Sequence, residues 1–575
     1  MDSLMRTLIL NTVLMLLTMA AVAAPQGRWA GPTSVPGWPT LFTVVEFHGQ
    51  RGEVSMLQAN LLQSLMESPK FGPEGFSFDL NAYGVVYRFD GSGEDILSGS
   101  VAPVQDPSTA PGDFRWMPHP VVATMPGFRS YSGSLRIEGV ASIDMVIDYA
   151  VGSDDRLHAD ISIPIQKLDS FPLEVRSKTA DSAELVLASS VPATITLPLG
   201  GEEITAGFKQ GGFSAEIAMV RTAEPDRTLR RPQDPTPPLP YELRDVLVQH
   251  PDGHSLAGTL TVPVDGEGPH PAVVLISGSG AQNRNEEIMG HRPFLVLSDH
   301  LTRQGIAVLR FDDRGVGGSV VPDQRMLLDD TSLDFASDVS LLVDHLKTQP
   351  GIDSDRIGLV GHSEGGIIAP IIADRRNDIA FVVLMAAPAR SGLRLLPDQS
   401  AALMRASGID ESVIDAIVAE QTNVLRKVTE GASLKELREP IRRLSVLQID
   451  AMNIDIEIDD EFIDNAIAST TIPWIRWFLA HDPAPVLKRL DMPVYAINGS
   501  LDLQVPASSE LTLIQEVMVE SDRDVTTRLY PGLNHLFQPA TTGAVEEYAE
   551  IETTLDPQVL RDMSEWIRER MNRDE

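Results

Sequence analysis

The feature that most constrains this chain is a serine between two glycines at a point where a strand turns into a helix. Residues 361–365 read Gly-His-Ser-Glu-Gly. The apolar run 357–360 before them is typical of a buried strand, and the run 365–370 after them opens a helix. In that setting, G-x-S-x-G forms a sharp turn that lifts the serine hydroxyl above a parallel sheet. The motif predicts an α/β fold with Ser363 as a nucleophile.

The residues around this turn predict how a negative charge would be stabilised there. Gly361 and Gly365 leave room where a Cβ atom would meet neighbouring backbone. The backbone N–H of Glu364, which follows the serine, is one expected oxyanion donor. The second is expected from the loop after the strand AVVLI, which reads Ser-Gly-Ser-Gly over 277–280, with Ser279 as the preferred donor.

A serine hydroxyl needs a base, and in this fold the acid and the histidine follow the serine in that order. Asp502 comes directly after the apolar strand PVYAINGS, and His535 lies in the loop after VTTRLY. His535 is predicted to accept the serine proton, and Asp502 to hold the imidazole in the right tautomer. Asp491 and Asp522 are competing acids, but each lies off the expected loop.

Two other polar segments near these positions are interpreted as structural. The run 312–319, Asp-Asp-Arg-Gly-Val-Gly-Gly-Ser, follows the strand IAVLRF and is expected to be a turn at the rim of the site. His291 and Arg292, just before a helix, are also expected to have structural roles.

From about residue 241 onward, apolar strands alternate with amphipathic helices. Such alternation predicts a mostly parallel sheet covered by helices on both faces. DVLVQH and LAGTLTVP are expected to open the domain as a hairpin, and a helix is expected at 331–348 with Thr331 or Ser332 as its N-cap. Between about 389 and 490 only helical patterns occur, which predicts a cap inserted over the carboxyl ends of the strands.

The region before this domain has a different pattern. Short runs of period two between 131 and 221 predict an antiparallel, β-rich N-terminal domain, taken to span 40–221. Within 40–125 the pattern is weak, with helical spacing at 54–67 and a strand at 83–89. The proline-rich segment 222–240 is expected to be a linker to the domain at 241–575.

The first 24 residues are expected to be a signal peptide. Residues 8–24 form an apolar run that ends in small residues, with cleavage expected after Ala23 or Ala24. The chain has no cysteine, which excludes disulfides and fits an exported protein. We therefore expect a periplasmic or secreted protein without stable membrane insertion once the signal peptide is removed. An uncleaved N-terminal anchor is the alternative.

Composition and motifs narrow the partners further. Acidic residues outnumber basic ones by 81 to 46, for a formal net charge of −35, so nucleic acid is not an expected partner. No H-E-x-x-H motif, dinucleotide fingerprint or P-loop occurs, so no metal or cofactor is expected. No pattern indicates an oligomeric state.

As a set, several stretches resemble bacterial α/β-hydrolase esterases of the EstD type, which are related to the dienelactone hydrolase and prolyl oligopeptidase groups. They are LISGSGAQNRNE, GHRPFLVLSDHLTRQGIAVLRFDDRGVGGS, RIGLVGHSEGG, PWIRWFLAHDP, GSLDLQVP and LNHLFQ. The resemblance implies Ser363 as nucleophile, Asp502 as acid and His535 as base, with Ser279 and Glu364 at the oxyanion positions. One departure is Ser277, where many relatives carry a histidine.

The resemblance implies hydrolysis of small-molecule carboxylic esters of small acyl groups, without a cofactor. A serine peptidase or amidase of the prolyl oligopeptidase type is the alternative, because the same triad serves both reactions. The segment 131–221 is too short for the β-propeller that such peptidases carry. A third hypothesis is a non-catalytic binding protein that acts through its β-rich domain.

Overall fold

The structure is a computed structural model, and it describes residues 27–571 apart from short segments. The segments outside the description are 36–39, 49–50, 60, 73–74, 83–84, 94–95, 106–108, 138–140, 167, 190, 226–230, 265–267 and 452–457. The expected signal peptide, residues 1–24, also lies outside the described residues. The chain divides into an N-terminal unit, 1–135 with 143–228, and a C-terminal unit, 136–142 with 229–575.

The N-terminal unit contains two antiparallel sheets. Within the described residues, the strands of the first sheet are β1 (Gly27–Ser34), β2 (Thr40–His48), β3 (Arg51–Met56), β4 (Leu61–Leu65), β5 (Glu67–Gly72), β6 (Gly75–Ala82), β7 (Val85–Ser92), β8 (Leu97–Pro103) and β9 (Gly112–Pro118). Those of the second are β10 (Arg129–Ile137), β11 (Ala141–Val151), β12 (Leu157–Ile163), β13 (Leu168–Pro172), β14 (Glu174–Lys178), β15 (Ser182–Leu187), β16 (Ala193–Pro198), β17 (Glu203–Gln210) and β18 (Phe213–Thr222).

The two sheets share one topology. Their strand orders are β4-β3-β2-β1-β9-β8-β7-β6-β5 and β13-β12-β11-β10-β18-β17-β16-β15-β14. In each sheet the first strand pairs with the last, and the two edge strands follow each other in the chain with a single residue between them. That short connection requires each sheet to curl, which gives it a barrel-like form.

The weakly patterned region 40–125 therefore supplies strands β2 to β9 of the first sheet, and β1 lies before it. The strand predicted at 83–89 is confirmed over its described residues as part of β7, whereas the helix predicted at 54–67 is wrong. That segment holds the end of β3, a 3₁₀ turn at Leu57–Ala59 and β4. Val54 and Met56 are both buried, two residues apart, as one face of a strand requires. The 3₁₀ turn that follows interrupts the alternation of buried and exposed residues. The apolar residues on its two sides then have a spacing similar to that of a helix.

The C-terminal unit is built on an eight-stranded sheet. Its described strands are β19 (Tyr241–Gln249), β20 (Ser255–Pro263), β21 (His270–Ile276), β22 (Ala307–Phe311), β23 (Ile352–His362), β24 (Phe381–Met385), β25 (Val494–Gly499) and β26 (Val525–Tyr530). They lie in the order β19-β20-β22-β21-β23-β24-β25-β26. The strands β19 and β20 form the predicted antiparallel hairpin, and β21 to β26 are parallel.

Helices cover both faces of this sheet and form its cap. Within the described residues they are α1 (Pro293–Arg303), α2 (Ser332–Lys347), α3 (Gly365–Arg375), α4 (Gly392–Ala406), α5 (Glu411–Thr429), α6 (Leu434–Ala451), α7 (Asp460–Thr470), α8 (Pro473–Ala480), α9 (Ala484–Leu487), α10 (Glu510–Glu520), α11 (Glu547–Glu550) and α12 (Pro557–Met571). The N-cap of α2 is Thr331, within a capping box with Asp334.

Alternate side chains of the strands pack on opposite faces, which explains the continuous apolar runs. Val274 and Ile276 of β21 pack in the cluster with α2, α3 and α10, whereas Val273 and Leu275 pack with α1 and α12. The fold is therefore an α/β-hydrolase fold, as predicted.

The helical insertion after β24 has a core of its own. Apolar side chains of α5, α6, α7 and α8 form a separate buried cluster that includes Val428, Leu437, Ile463 and Leu479. In the described part of the chain, no helix combines the length and the apolar character that a membrane crossing requires.

Candidate active site

Ser363 lies on a strained turn between β23 and α3. Its φ is +54°, a left-handed conformation that a residue with a side chain rarely adopts. A Cβ atom on Gly361 would lie 2.0 Å from the carbonyl oxygen of Gly365, and one on Gly365 would lie 2.2 Å from that of Ile276. Both glycines are therefore required by the close approach of backbone. Ser363 itself is half-buried, so its hydroxyl is within reach of a substrate.

His535 and Asp502 are in contact, although they lie in different loops. His535 Nδ1 donates to Asp502 Oδ2 at 2.9 Å, and both side chains are buried. The other oxygen of Asp502, Oδ1, accepts from the backbone N–H groups of Gln504 at 2.9 Å and Val505 at 2.8 Å. These two donors fix the carboxylate, and the carboxylate in turn fixes the histidine ring.

The competing acids are placed elsewhere. Asp491 has a highly exposed side chain that pairs with Arg523, and Asp522 is exposed at the end of α10. Within the described residues, neither carboxylate forms a hydrogen bond or ion pair with His535.

Two backbone N–H groups next to Ser363 have no acceptor in the part of the chain that the structure describes. They are those of Ser279 and Glu364, the two expected oxyanion donors. The N–H of the neighbouring Gly278 is engaged, because it donates to Glu286 Oε1 at 2.8 Å. A Cβ atom on Gly278 would lie 3.1 Å from Ser363 Cβ, which places this loop directly against Ser363.

The side chain of Glu364 ties the nucleophile turn to its surroundings. Its carboxylate is buried and accepts from Ser332 Oγ at 2.5 Å and from Trp474 Nε1 at 2.7 Å, with a further hydrogen bond from the Ser279 side chain. Burial raises its pKa. Since Trp474 belongs to α8, this carboxylate links the cap to the loop 277–280, the predicted oxyanion loop.

Two residues of the site, Glu286 and His362, were not assigned any role from the sequence, and Asp313 was included there in the structural run 312–319. Glu286 Oε1 accepts from His362 Nδ1 at 2.9 Å, and both side chains are buried. His362 occupies a variable position of the G-x-S-x-G motif, so its position next to Ser363 is the only sequence feature that could have indicated a role in the site. Glu286 lies in the stretch LISGSGAQNRNEE, close in the chain to the oxyanion loop.

Asp313 is half-buried beside the same loop. It accepts from the backbone N–H of Gln282 at 2.9 Å and from Ser277 Oγ at 3.3 Å. Loss of hydration raises its pKa to about 8, and the carboxylates of Glu364 and Glu286 contribute to the increase. Ser277 therefore holds this acid.

The other polar segments have structural contacts, as expected. Asp312 accepts from Arg284 and from the backbone N–H of Gly318. His291 is bound by Thr554 Oγ1 and by the carbonyl oxygen of Tyr548.

Among the described residues of the C-terminal unit, one buried group has donor atoms close enough for a metal ion: His250, His254 and Asp338. The carboxylate of Asp338 already accepts from Arg314 through both of its oxygens, at 2.7 and 2.8 Å. The guanidinium neutralises Asp338 and would repel a cation, so the group is an ion-paired network.

Comparison with known proteins agrees with this architecture. A family profile described as Serine aminopeptidase, S33 (Hydrolase_4) matches residues 292–538. Esterase EstD of Thermotoga maritima is 26% identical over 371 residues, which cover 63% of this chain and 78% of the relative.

Esterase FrsA of Yersinia pestis is 31% identical over 131 residues, which cover 23% of this chain and 28% of the relative. A solved structure of the Pyrococcus furiosus esterase Pf2001 aligns with 61% of this chain and 100% of its own, at a TM-score of 0.35 and 15% identity. The chain is a hydrolase of the α/β-hydrolase fold that is related to esterases.

Proposed function

We propose that this α/β-hydrolase cleaves carboxylic esters of small acyl groups through a Ser363–His535–Asp502 triad and an acyl-enzyme intermediate. The observation that carries the proposal is the strained Ser363 turn beside a buried His535–Asp502 pair. Strain of this kind is retained where surrounding structure enforces it, and it is concentrated at functional sites. The preference for small acyl groups rests on the resemblance to EstD-type esterases.

The first half of the reaction forms the acyl-enzyme. Ser363 Oγ attacks the ester carbonyl carbon while His535 Nε2 accepts the hydroxyl proton. The carbonyl oxygen becomes an oxyanion, and the N–H groups of Ser279 and Glu364 donate to it. The tetrahedral intermediate then collapses, the carbon–oxygen bond to the alcohol breaks, and His535 returns the proton to the leaving oxygen.

The second half releases the acid. A water molecule attacks the acyl carbon while His535 accepts its proton, and the bond to Ser363 Oγ breaks as the histidine returns that proton to the serine. Asp502 remains ionised throughout and stabilises the imidazolium that forms twice in the cycle. No step requires a metal or a cofactor.

Peptide or amide hydrolysis is the second candidate, because the matching family profile is described as a serine aminopeptidase. An aminopeptidase must hold the α-ammonium group of its substrate, and acidic side chains suit that role. Near Ser363, however, Glu286 is paired with His362 and Glu364 is bonded to Ser332 and Trp474. These bonds favour the ester reaction.

The decisive experiment compares a p-nitrophenyl ester series with a panel of aminoacyl and peptidyl anilides. We expect turnover of the short esters by the wild-type enzyme, no turnover of the anilides, and loss of activity in Ser363→Ala. Ser469→Ala is the matched control, because it removes an exposed hydroxyl from α7 in the cap.

If the enzyme cleaves the anilides but none of the esters, the protein is a peptidase or amidase and the proposed esterase function is wrong. An inactive wild-type protein whose Ser363 is not labelled by a fluorophosphonate would contradict the triad and favour a binding function of the β-rich domain.

We also propose that residues 1–24 are a signal peptide and that the mature protein is periplasmic or secreted. The domain division that we propose has a β-rich domain at 40–221, whose first sheet also includes β1 (Gly27–Ser34), a proline-rich linker at 222–240 and the hydrolase at 241–575, with the cap at about 389–490. N-terminal sequencing of the protein recovered from a periplasmic extract should begin at Ala24 or Pro25. A protein that retains Met1 in the membrane fraction would indicate an uncleaved anchor instead.

A further inference from the structure

Glu286 and His362 are buried beside the nucleophile, yet the proposed reaction steps use neither. Their exposed fractions are 4% and 5%. A buried carboxylate or imidazole loses its hydration and must be compensated by partners. Their partners are backbone groups of the oxyanion loop and of the His535 loop, and both loops must be aligned with Ser363.

The two side chains connect three loops. Glu286 Oε1 accepts from the Gly278 N–H at 2.8 Å, which belongs to the oxyanion loop, and from His362 Nδ1 at 2.9 Å. At the other side of the ring, His362 Nε2 donates to the carbonyl oxygen of His535 at 3.1 Å. His362 is the residue directly before Ser363. The chain of bonds therefore runs from the oxyanion loop through the nucleophile turn to the loop of the predicted base.

These bonds fix the number of protons on the pair. A carbonyl oxygen only accepts, so His362 Nε2 carries a proton, and a second proton must lie between Nδ1 and Glu286 Oε1. The raised pKa of His362 places this second proton on the ring, which is then an imidazolium opposite a carboxylate. Burial by itself lowers the pKa of His362, but the charge of Glu286, together with its hydrogen bond, outweighs burial and leaves the pKa raised.

The backbone of this region supports a role beyond filling space. Glu286 has a φ of +51°, a left-handed conformation that is strained at a residue with a side chain. Gly278 lies so close that a Cβ atom there would be 3.5 Å from Glu286 Oε1 and 3.1 Å from Ser363 Cβ. The strained residue thus places its carboxylate against Gly278, where the oxyanion loop lies next to Ser363.

We propose that Glu286 and His362 are positioning residues, which align the oxyanion N–H of Ser279 and the ring of His535 with Ser363. The inference rests on the proposed function and extends it. Because Glu286 engages the N–H of Gly278, it leaves the N–H of Ser279 as the donor of this loop. His362 holds the backbone of His535, while Asp502 holds its side chain. The imidazolium also neutralises Glu286, whose charge would otherwise oppose the oxyanion.

Glu286→Gln is the most informative variant, since it preserves the shape of the side chain and removes its charge. A neutral His362 has only one N–H, so it cannot donate to both residue 286 and His535. We expect kcat to fall by about 10- to 100-fold with KM changed less than about threefold, because displaced oxyanion donors affect the transition state more than substrate binding. Glu287→Gln is the matched control, as it alters the adjacent carboxylate, which accepts from Asn283.

Rates are expressed per site titrated by a fluorophosphonate. A merely structural role would lower the labelled fraction of the protein and leave turnover per labelled site unchanged. Wild-type turnover per labelled site in Glu286→Gln would overturn the inference while the proposed function stands. Failure of the wild-type enzyme to be labelled at Ser363, or to cleave esters, would instead contradict the proposed function.

A second measurement needs no variant. In ¹⁵N-labelled wild-type enzyme at pH 7, NMR should find protons on both ring nitrogens of His362. A single protonated nitrogen would overturn the inference, even if Glu286→Gln fails to fold. His362→Gln, which keeps one donor, should show the same loss of kcat per labelled site as Glu286→Gln.

Discussion

Replacing Asp502 with asparagine tests how the predicted base is held. Oδ1 of Asp502 accepts from two backbone N–H groups, those of Gln504 and Val505. In Asp502→Asn the amide oxygen is retained at these donors, since turning the NH₂ group toward them would leave buried donors unpaired, at a cost of about 1 to 3 kcal/mol. The NH₂ group therefore faces His535 Nδ1.

A donor in that position changes the tautomer of the histidine. His535 Nδ1 must then accept, so the ring proton moves to Nε2, the nitrogen that has to accept the proton of Ser363. The base is thereby blocked without a change of shape. A loss on the order of 10⁴ in kcat follows from this kind of tautomer error in a serine triad. That loss corresponds to about 5.5 kcal/mol of activation free energy.

The assay is the burst of p-nitrophenol from a short ester, followed in a stopped-flow instrument and normalised to the concentration of folded protein. Asp522→Asn is the control, because Asp522 is exposed and has a φ of +56°, which asparagine accepts readily. More than a tenth of wild-type activity in Asp502→Asn would show that His535 can still accept the serine proton without the carboxylate of Asp502. Equal losses in the two variants would show that the effect is not specific to Asp502.

Three further changes test the surroundings. Gly361→Ala places a Cβ atom 2.0 Å from the carbonyl oxygen of Gly365 and should lower the free energy of unfolding by about 3 kcal/mol; an unchanged Tm would contradict this. Trp474→Phe removes a donor at 2.7 Å from the buried carboxylate of Glu364 and should cost about 1 to 3 kcal/mol in urea unfolding, whereas a wild-type midpoint would show that the contact does not stabilise the fold. Asp313 has its pKa raised to about 8, so the folded enzyme retains a proton that the unfolded chain loses near pH 4, and stability falls as pH rises between these values. Asp313→Asn should become more stable relative to wild type across this window, by at most about 1.4 kcal/mol per pH unit, and parallel urea midpoints at pH 5 and pH 8 would contradict it.

Local sequence patterns were sufficient to predict most strands and helices of the C-terminal unit. The apolar run before Ser363 and the helix after it are adjacent in the chain, so the nucleophile turn was readable directly. The strand ends before Asp502 and His535 could be found in the same way, because carboxyl ends of parallel strands meet at one edge of a sheet. The capping box at Thr331 is likewise a local feature.

In the N-terminal unit, prediction from local sequence patterns was wrong at one segment. The spacing of apolar residues in 54–67 imitates a helix, because a 3₁₀ turn separates the end of β3 from the short strand β4. Strand identity there depends on pairing within the sheet, in which β3 lies between β4 and β2, and a strand gains its stability from such cross-strand neighbours. The shared topology of the two sheets is visible only in the order of their strands.

The fold class, the turn at Ser363 and the loops of the candidate acid and base could be predicted from the amino-acid sequence, because short, contiguous runs of residues encode the strands and helices beside them. The contact of Asp502 with His535, and that of Glu286 with His362 across 76 positions of the chain, could be found only in the folded protein. Such contacts depend on how the loops at the ends of several strands converge. Side chains that act through those contacts have no period or motif in the sequence, and their role emerges only from the distances between them.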